Sequence, residues 1–230
     1  MNYKFEDGEV LLIDKPYDWS SFDVVRKIRN TIKIKKIGHA GTLDPLATGL
    51  LILCTGKKTK EINVYQDWEK EYTGKLVLGK TTPSCDLETE VDNETDISNL
   101  TKEEVLAKTA IFSGTIQQAP PCFSAIKVNG KRAYKHARKG EMIEMKEREV
   151  VVKEFEIKSI DWPVVEFRVV CSKGTYIRSL ARDFGQALGV GAYLQELRRT
   201  RIGEFNVSDA HILDVLIQSL KETNEGIQKS

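Results

Sequence analysis

GHAGTLDPLATGLL, residues 38 to 51, places one carboxylate, Asp44, among leucines and residues that bend the backbone. An Asp before Pro is ordinarily a turn former whose side chain bonds nearby amides, because Pro keeps the preceding residue out of the helical region. Leu43, Leu46, Leu50 and Leu51 change that reading. A solvated loop tip has no reason to expose so much hydrocarbon, so the pattern predicts a walled cleft around the carboxylate. A carboxylate walled in this way needs a cationic partner or a chemical task. Gly38 and Gly41 permit positive φ and the close approach of another chain, and His39 between them offers a flat ring that can stack or hydrogen bond. The combination suits a flipped nucleotide.

Outward from this stretch, the neighbouring segments divide into short strands and helices. GEVLLIDKP (8 to 16) is an apolar run closed by Lys-Pro and reads as a buried strand. SSFDVVRKIRNTIK carries Val25, Ile28 and Ile32 at helical spacing, with Ser20 or Ser21 as N-cap. LLILC (50 to 54) reads as a core strand and KKTKEINVYQDW as a short helix; EYTGKLVLGK (71 to 80) alternates as a strand, with Tyr72, Gly74, Leu76 and Leu78 on one face. The polar segment 86 to 99 reads as a surface connection, and Thr101 with Glu104 forms a capping box for a helix to about Phe112. SAIKVNG (124 to 130) predicts a strand ending in an Asn-Gly turn, followed by a strongly basic helical turn or hairpin arm, KRAYKHARKG. EREVVVKEFEIKSID and VVEFRVVC predict an antiparallel pair broken at Trp162-Pro163. KGTYIRSLARDFGQALG predicts an amphipathic helix stopped by Gly189; a last helix spans Ser208 to about Leu220, and KETNEGIQKS is a polar tail expected to fray. Pattern alone therefore gives an α/β or α+β class.

Composition narrows the functional classes. With 230 residues and 40% hydrophobic content the chain can bury a sizeable core. The start, MNYKFEDGEV, lacks the basic and apolar regions of a signal peptide, and the apolar runs are short, so a cytoplasmic protein is expected. Cys54, Cys85, Cys122 and Cys171 are scattered, with no CxxC pair, and predict small buried hydrophobes rather than a zinc site or disulfides. The net charge of +1 conceals an asymmetry: residues 86 to 104 hold eight acids against one Lys, leaving +8 on the remainder. Basic groups recur at Lys33, Lys35 and Lys36, at Lys57, Lys58 and Lys60, from Lys127 to Lys139, and at Arg198, Arg199 and Arg201. Several such clusters around one apolar cleft fit an RNA footprint, with the acidic run pointing away from it.

GHAGTLDPLATGLL closely resembles the catalytic motif of the TruB family, tRNA pseudouridine synthases that act on the T-loop uridine at position 55. DKPYDWSS (14 to 21), KEYTGKLVLGKTT (70 to 82), SAIKVNGKRAYKHARKG (124 to 140), KGTYIRSLARDFG (173 to 185) and LRR (197 to 199) follow the family's order, so the resemblance spans nearly the whole chain. It implies an α+β pseudouridine synthase fold: a mixed, largely antiparallel central sheet flanked by helices and loops around an RNA-binding cleft. It also implies one catalytic domain over residues 1–230, with a basic thumb-like insertion at about 121–145 that is mobile without RNA. Family members commonly carry a C-terminal PUA domain, and this sequence ends where one would begin.

By resemblance, Asp44 is the nucleophile, Tyr72 stacks on the target base and can relay a proton, and Arg178 pairs with the nucleophile to keep it ionised. His39 matches the residue that replaces lost stacking when the base is extruded; Lys15 supports the site, Tyr176 and Leu197 pack around the uracil, and Lys127 belongs to the RNA-binding insertion. No cofactor or metal is implied. The partner is tRNA through its T-arm, with no membrane and no protein partner, and the expected state is a monomer. Asp18 stands where many relatives have Gly, Ser84 where they have Thr, and Tyr193 where many have His. Two other readings compete: a tRNA-folding chaperone without turnover, and an Asp-dependent hydrolase of small molecules. The hydrolase reading lacks a companion carboxylate at a suggestive spacing.

Overall fold

The computed structural model describes residues 3–128, 130–141 and 143–228. Strand β1 (Val10–Lys15) leads into helix α1 (Ser21–Ile32), β2 (Ile37–His39) and β3 (Thr48–Thr55); a 3-10 turn (Gly56–Glu61) and α2 (Ile62–Asp67) then precede β4 (Lys70–Leu78). Next come β5 (Lys80–Thr81), β6 (Asn93–Glu94), α3 (Lys102–Lys108), β7 (Gly114–Gln118), β8 (Lys127–Val128), β9 (Lys131–Arg132) and α4 (Ala133–Ala137). The chain continues through β10 (Arg148–Asp161), β11 (Val164–Cys171), α5 (Ile177–Ala187), β12 (Ala192–Ile202), β13 (Phe205–Asn206), β14 (His211–Ile212) and α6 (Leu213–Gln228). Two compact units result: one from the chain up to Tyr72 and from Leu197 onward, the other from Thr73–Glu196.

In the first unit β3 is central. It pairs antiparallel with β1, from Val10↔Cys54 to Lys15↔Gly49, and with β2; it pairs parallel with β12 at Arg198↔Thr48 and Arg199↔Gly49. β1 in turn pairs parallel with β14. Leu51 and Leu53 pack with Val24, Val25 and Ile28 of α1 and Leu213, Leu216, Ile217 and Leu220 of α6. Leu50, Ile52 and Cys54 pack with Ala40, Tyr65 and Ile202. A strand covered on both faces reads as an unbroken apolar run, which is why TGLLILCT does not alternate. Each such leucine contributes about 1.5–3 kcal/mol by leaving water. Leu50 and Leu51, expected to wall Asp44, are therefore core residues. Ser20 is the N-cap of α1, with Asp23 completing a reciprocal capping box, and Lys33 closes the helix at φ 53°.

In the second unit the strand order is β4–β11–β10–β7, with β10 antiparallel to both neighbours. Phe112, Phe155, Phe167 and Phe184 meet edge to face, with ring centroids 5.2–6.4 Å apart, and fix α5 over the sheet. α5 is stopped by Gly189 at φ 76°, as its sequence predicts. The result is the α+β class with a mixed, mostly antiparallel sheet.

Several expectations need correction. The last helix starts at Leu213 and not Ser208, because Ser208 lies in a 3-10 turn and His211 and Ile212 are drawn into pairing with β1. Its backbone stays helical to Gln228; the last two residues of the tail lie outside the described residues. The strand at 124–130 shrinks to the two-residue β8 paired with β9, and Asn129 of its turn lies outside the described residues. The acidic segment 86–99 is not wholly superficial: Asp86 is buried and bridges to Leu194. β12, which the sequence pattern does not announce, occupies 192–202. Cys54, Cys85 and Cys171 are buried as expected, whereas Cys122 is half-exposed; all four are free thiols.

Candidate active site

Asp44 sits half-exposed in the loop between β2 and β3. The loop closes on itself through a hydrogen bond from Ala47 N to Asp44 O of 3.1 Å, and neighbouring elements hold its backbone at three further points. The guanidinium of Arg199, from β12, donates to Gly41 O at 3.2 Å and Leu50 O at 2.7 Å. Ser21 Oγ, at the start of α1, both accepts from Leu43 N at 2.9 Å and donates to Leu43 O at 3.2 Å. Pro45 O accepts from Lys15 Nζ at 3.2 Å and from the backbone N–H of Asp18 at 3.0 Å. The residues on either side of the carboxylate are thus pinned by side chains from β1, α1 and β12. Such backing confines a reactive group to one geometry.

The glycines divide the work. Gly41 is at φ 92°, a conformation that disfavours any side chain, and it brings its carbonyl to Arg199. Gly38 lies outside the left-handed region; a Cβ there would lie 2.8 Å from Ile62 Cδ1, the far end of a flexible side chain that can move aside, so torsion does not require glycine there and packing favours it only mildly. Asp18 adopts φ 61°, the left-handed region in which glycine is unstrained.

Lys15 is fully buried, and its ammonium also donates to the carbonyls of Pro16 and Trp19. Burial pulls its pKa down to about 8, Arg199 pushing the same way while Asp44, Asp18 and Asp23 favour the charged form. His39, on β2, has a pKa lowered first by burial and further by Arg199, against the backbone of Gly41. Its imidazole is therefore neutral near pH 7, the state in which a ring stacks without carrying charge into a buried site. Tyr72, on β4, is buried, and Leu197, on β12, is half-buried. Asp44, His39, Lys15, Tyr72 and Leu197 all belong to the first unit.

The second unit holds Lys127, Tyr176 and Arg178. Lys127 is exposed on β8. Arg178, in the first turn of α5, is buried; its Nη1 lies 3.5 Å from Asp86 Oδ2 and 3.3 Å from Ser84 O. The turn that presents these acceptors has Cys85 at φ 62° and is knitted by Thr82 Oγ1 and Ser84 Oγ, both donating to Asp86 O. Burial raises the Cys85 thiol to about 11, so it stays protonated.

Three residues that shape these surroundings escape a reading by pattern. Ser21 reads only as a possible cap; Asp86 is one acid in an acidic run, set apart by its small neighbours Ser84 and Cys85; and Arg199 reads as a phosphate contact. The last reading is corrected by the structure for its whole cluster. Arg199 is buried on carbonyls, Arg198 forms a two-pronged pair with Asp14 at 2.7 and 3.0 Å, and Arg201 pairs with Glu69 at 2.8 Å. The segment from Lys127 to Lys139 keeps exposed basic groups, although Arg138 is paired with Glu88 of the acidic run at 2.7 Å. Among the described residues no cluster of His, Cys, Asp or Glu could hold a metal ion, and no helix is long and apolar enough to cross a membrane.

Residues 29–177 match the family model described as TruB family pseudouridylate synthase (N terminal domain), and residues 178–230 match the tRNA pseudouridylate synthase B C-terminal domain. A tRNA pseudouridine synthase B of Parabacteroides distasonis is 52% identical over 96% of this chain and 98% of its own length. Another, of Chloroherpeton thalassium, is 51% identical over 99% and 97%. Among solved structures, a chain from a Cbf5-Nop10-Gar1 complex aligns with a TM-score of 0.73 and 31% identity over 93% of this chain, which spans about half (54%) of that one.

Proposed function

Because the chain belongs to the TruB family of pseudouridylate synthases, we propose that Asp44 is the nucleophile with which it isomerises uridine to pseudouridine at position 55 in the T-loop of tRNA. The reaction breaks the N1–C1′ bond, turns the uracil, forms the C5–C1′ bond and releases the C5 proton, with no net redox change. The target is flipped out of the T-loop to reach the enzyme, so its lost stacking must be replaced by protein groups. The observation that carries the assignment is the loop around Asp44: a half-exposed carboxylate whose flanking backbone is held by Arg199, Ser21, Lys15 and Asp18.

The remaining roles follow the resemblance. Arg178 supplies the positive charge that pairs with the nucleophile. Tyr72 stacks on the base and relays a proton, while Tyr176 and Leu197 pack around the uracil. His39, neutral near pH 7, takes the place of the extruded base, and Lys15 holds the carbonyls beneath the loop. Lys127 contacts phosphate within a basic thumb at about 121–145 that closes over the T-arm. The protein acts on tRNA in the cytoplasm, as a monomer with one catalytic domain and without a protein partner.

The C5 proton supplies the test. RNA tritiated at C5 of the target uridine loses label to water when isomerised and keeps it when merely bound. The natural protein should release tritium. Asp44→Asn, which keeps shape and much of the hydrogen-bonding capacity, should bind the T-loop RNA and release none. Release by the variant at near the natural rate would remove Asp44 from the nucleophile's role; tight binding without release by the natural protein would favour the chaperone reading.

A further inference from the structure

Tyr176 is gripped by a pair of residues that none of the family motifs quoted above contains. Gln118, the last residue of β7, is 1% exposed and holds the backbone of Tyr176 at both ends: its Nε2 donates to Tyr176 O at 3.1 Å, and its Oε1 accepts from Tyr176 N at 2.8 Å. A primary amide used in this way imitates a neighbouring β-strand, satisfying both the donor and the acceptor of one residue. Arg148 opens β10 and sits opposite Gln118 in the ladder. Directly paired residues share a sheet face, so the two side chains leave it together. The Arg148 guanidinium lies over the Tyr176 ring, 4.7 Å from its centroid, and its Nη2 donates to Gly174 O at 2.6 Å. One cross-strand pair thus fixes both backbone and ring of a residue 58 positions away from Gln118.

Tyr176 is also the N-cap residue of α5, and its side chain makes no capping hydrogen bond. The first turn of that helix carries Arg178, and its entry is further tied down where Ser179 Oγ and Arg182 Nη2 donate to Ala119 O, the residue after Gln118, at 2.8 and 3.0 Å. The end of β7 therefore sets where the helix begins and which way the Tyr176 ring faces. Packing alone would leave that ring several rotamers, because Tyr176 is only half-buried.

We propose that Gln118 and Arg148 are positioning residues for the isomerisation, holding Tyr176 in the single orientation in which its ring packs against the uracil. The proposal rests on the reading of Tyr176 as a uracil-packing residue. Arg148 covers the ring from one side and Gln118 locks the peptide from which it projects, so neither has to touch the substrate. A loose Tyr176 would still admit the RNA but would spend less time aligned, lowering kcat more than affinity.

The test is a double-substitution cycle on the full-length protein, with a T stem-loop RNA carrying C5-tritiated uridine. Gln118→Met keeps volume and removes both hydrogen bonds; Gln118→Glu keeps the acceptor for Tyr176 N, loses the donor, and serves if the first variant folds poorly. Gln118→Met should lower kcat about ten-fold while the RNA dissociation constant stays within about two-fold, and Gln118→Glu should fall between it and the natural protein. In a Tyr176→Ala background, where there is no ring to orient, the same Gln118 substitution should change kcat less than about two-fold. A merely structural Gln118 would act equally in both backgrounds, and that additivity would overturn the proposal, as would an unchanged kcat with only a lowered Tm. If Tyr176→Ala alone left kcat intact, the reading of Tyr176 would fall first and the proposal with it, a distinguishable result.

Discussion

Arg199→Lys separates two accounts of the same residue. Three arginines in LRRTR predict phosphate contacts, yet Arg199 is 1% exposed and spends its guanidinium on Leu50 O at 2.7 Å and Gly41 O at 3.2 Å. Lysine keeps the charge but gathers its donors on one compact ammonium, without the spread of the planar fork that reaches Leu50 O through Nε and Gly41 O through Nη2, so one of the two carbonyls is left buried and unsatisfied. Losing one charge-assisted hydrogen bond of this kind costs about 1.5–3 kcal/mol. For a chain of this size roughly 2 kcal/mol lowers Tm by about 4–8 °C. Thermal unfolding followed by circular dichroism gives that shift, and a salt titration of tRNA binding gives the other half of the argument. If Arg199 neutralised a phosphate, lysine would keep that contact, whereas Arg199→Met, which removes the charge, would reduce the slope of log affinity against log salt by about one. The structure requires a lower Tm for Arg199→Lys with an unchanged salt slope for Arg199→Met, and a reduced kcat because Gly41 lies three residues from Asp44. An unaltered Tm together with a shallower slope would refute the reasoning.

Asp18→Gly removes a side chain from φ 61° and should stabilise the protein by about 0.5–1 kcal/mol, less the entropy glycine adds to the unfolded chain; urea unfolding measures it, and a loss of stability would contradict the strain argument. Lys15 loses its proton more readily folded, with a pKa of about 8, than unfolded, so between about pH 8 and the ordinary lysine value the unfolded state binds more protons and stability should rise with pH. Lys15→Met should abolish that component; an identical pH dependence in the variant would show that burial does not depress the Lys15 pKa. His39, whose pKa is also lowered, disfavours folding once protonated, so acidification below its ordinary pKa should cost stability that His39→Gln retains, measured as urea midpoints from pH 7 to pH 5. If the basic segment at about 121–145 closes on RNA, its backbone amides should exchange faster in the free protein than with a T stem-loop bound; slow exchange unchanged by RNA would oppose closure.

The residues of the loop and its motifs, read by themselves, were enough to single out Asp44 as a candidate, to carry the resemblance to the family and to narrow the class to α/β or α+β, because these depend on local chemistry: turn formers around a carboxylate, capping boxes at Ser20 and Thr101, and apolar runs at strand length. They also announced the α5 stop at Gly189 and the β10–β11 pair around Trp162-Pro163. What supports the loop was not legible there. Arg199 carries a full charge and reads as surface, but β12 runs beside Gly49, where an added Cβ would come within 2.3 Å of Arg199 O, and so close an approach turns the guanidinium inward onto carbonyls. Ser21, Asp86 and Gln118 are polar residues whose partners lie 22, 92 and 58 positions away, so no local spacing announces them. Leu50 and Leu51 show the converse: their place beside Asp44 in the chain suggests a cleft wall, while the pleat of a strand buried on both faces sends them into two separate cores. Sequence could single out the candidate carboxylate because its neighbours are chemical; only the tertiary structure could name the groups that hold its loop, because hydrogen bonds over long sequence separations follow strand pairing and not order along the chain.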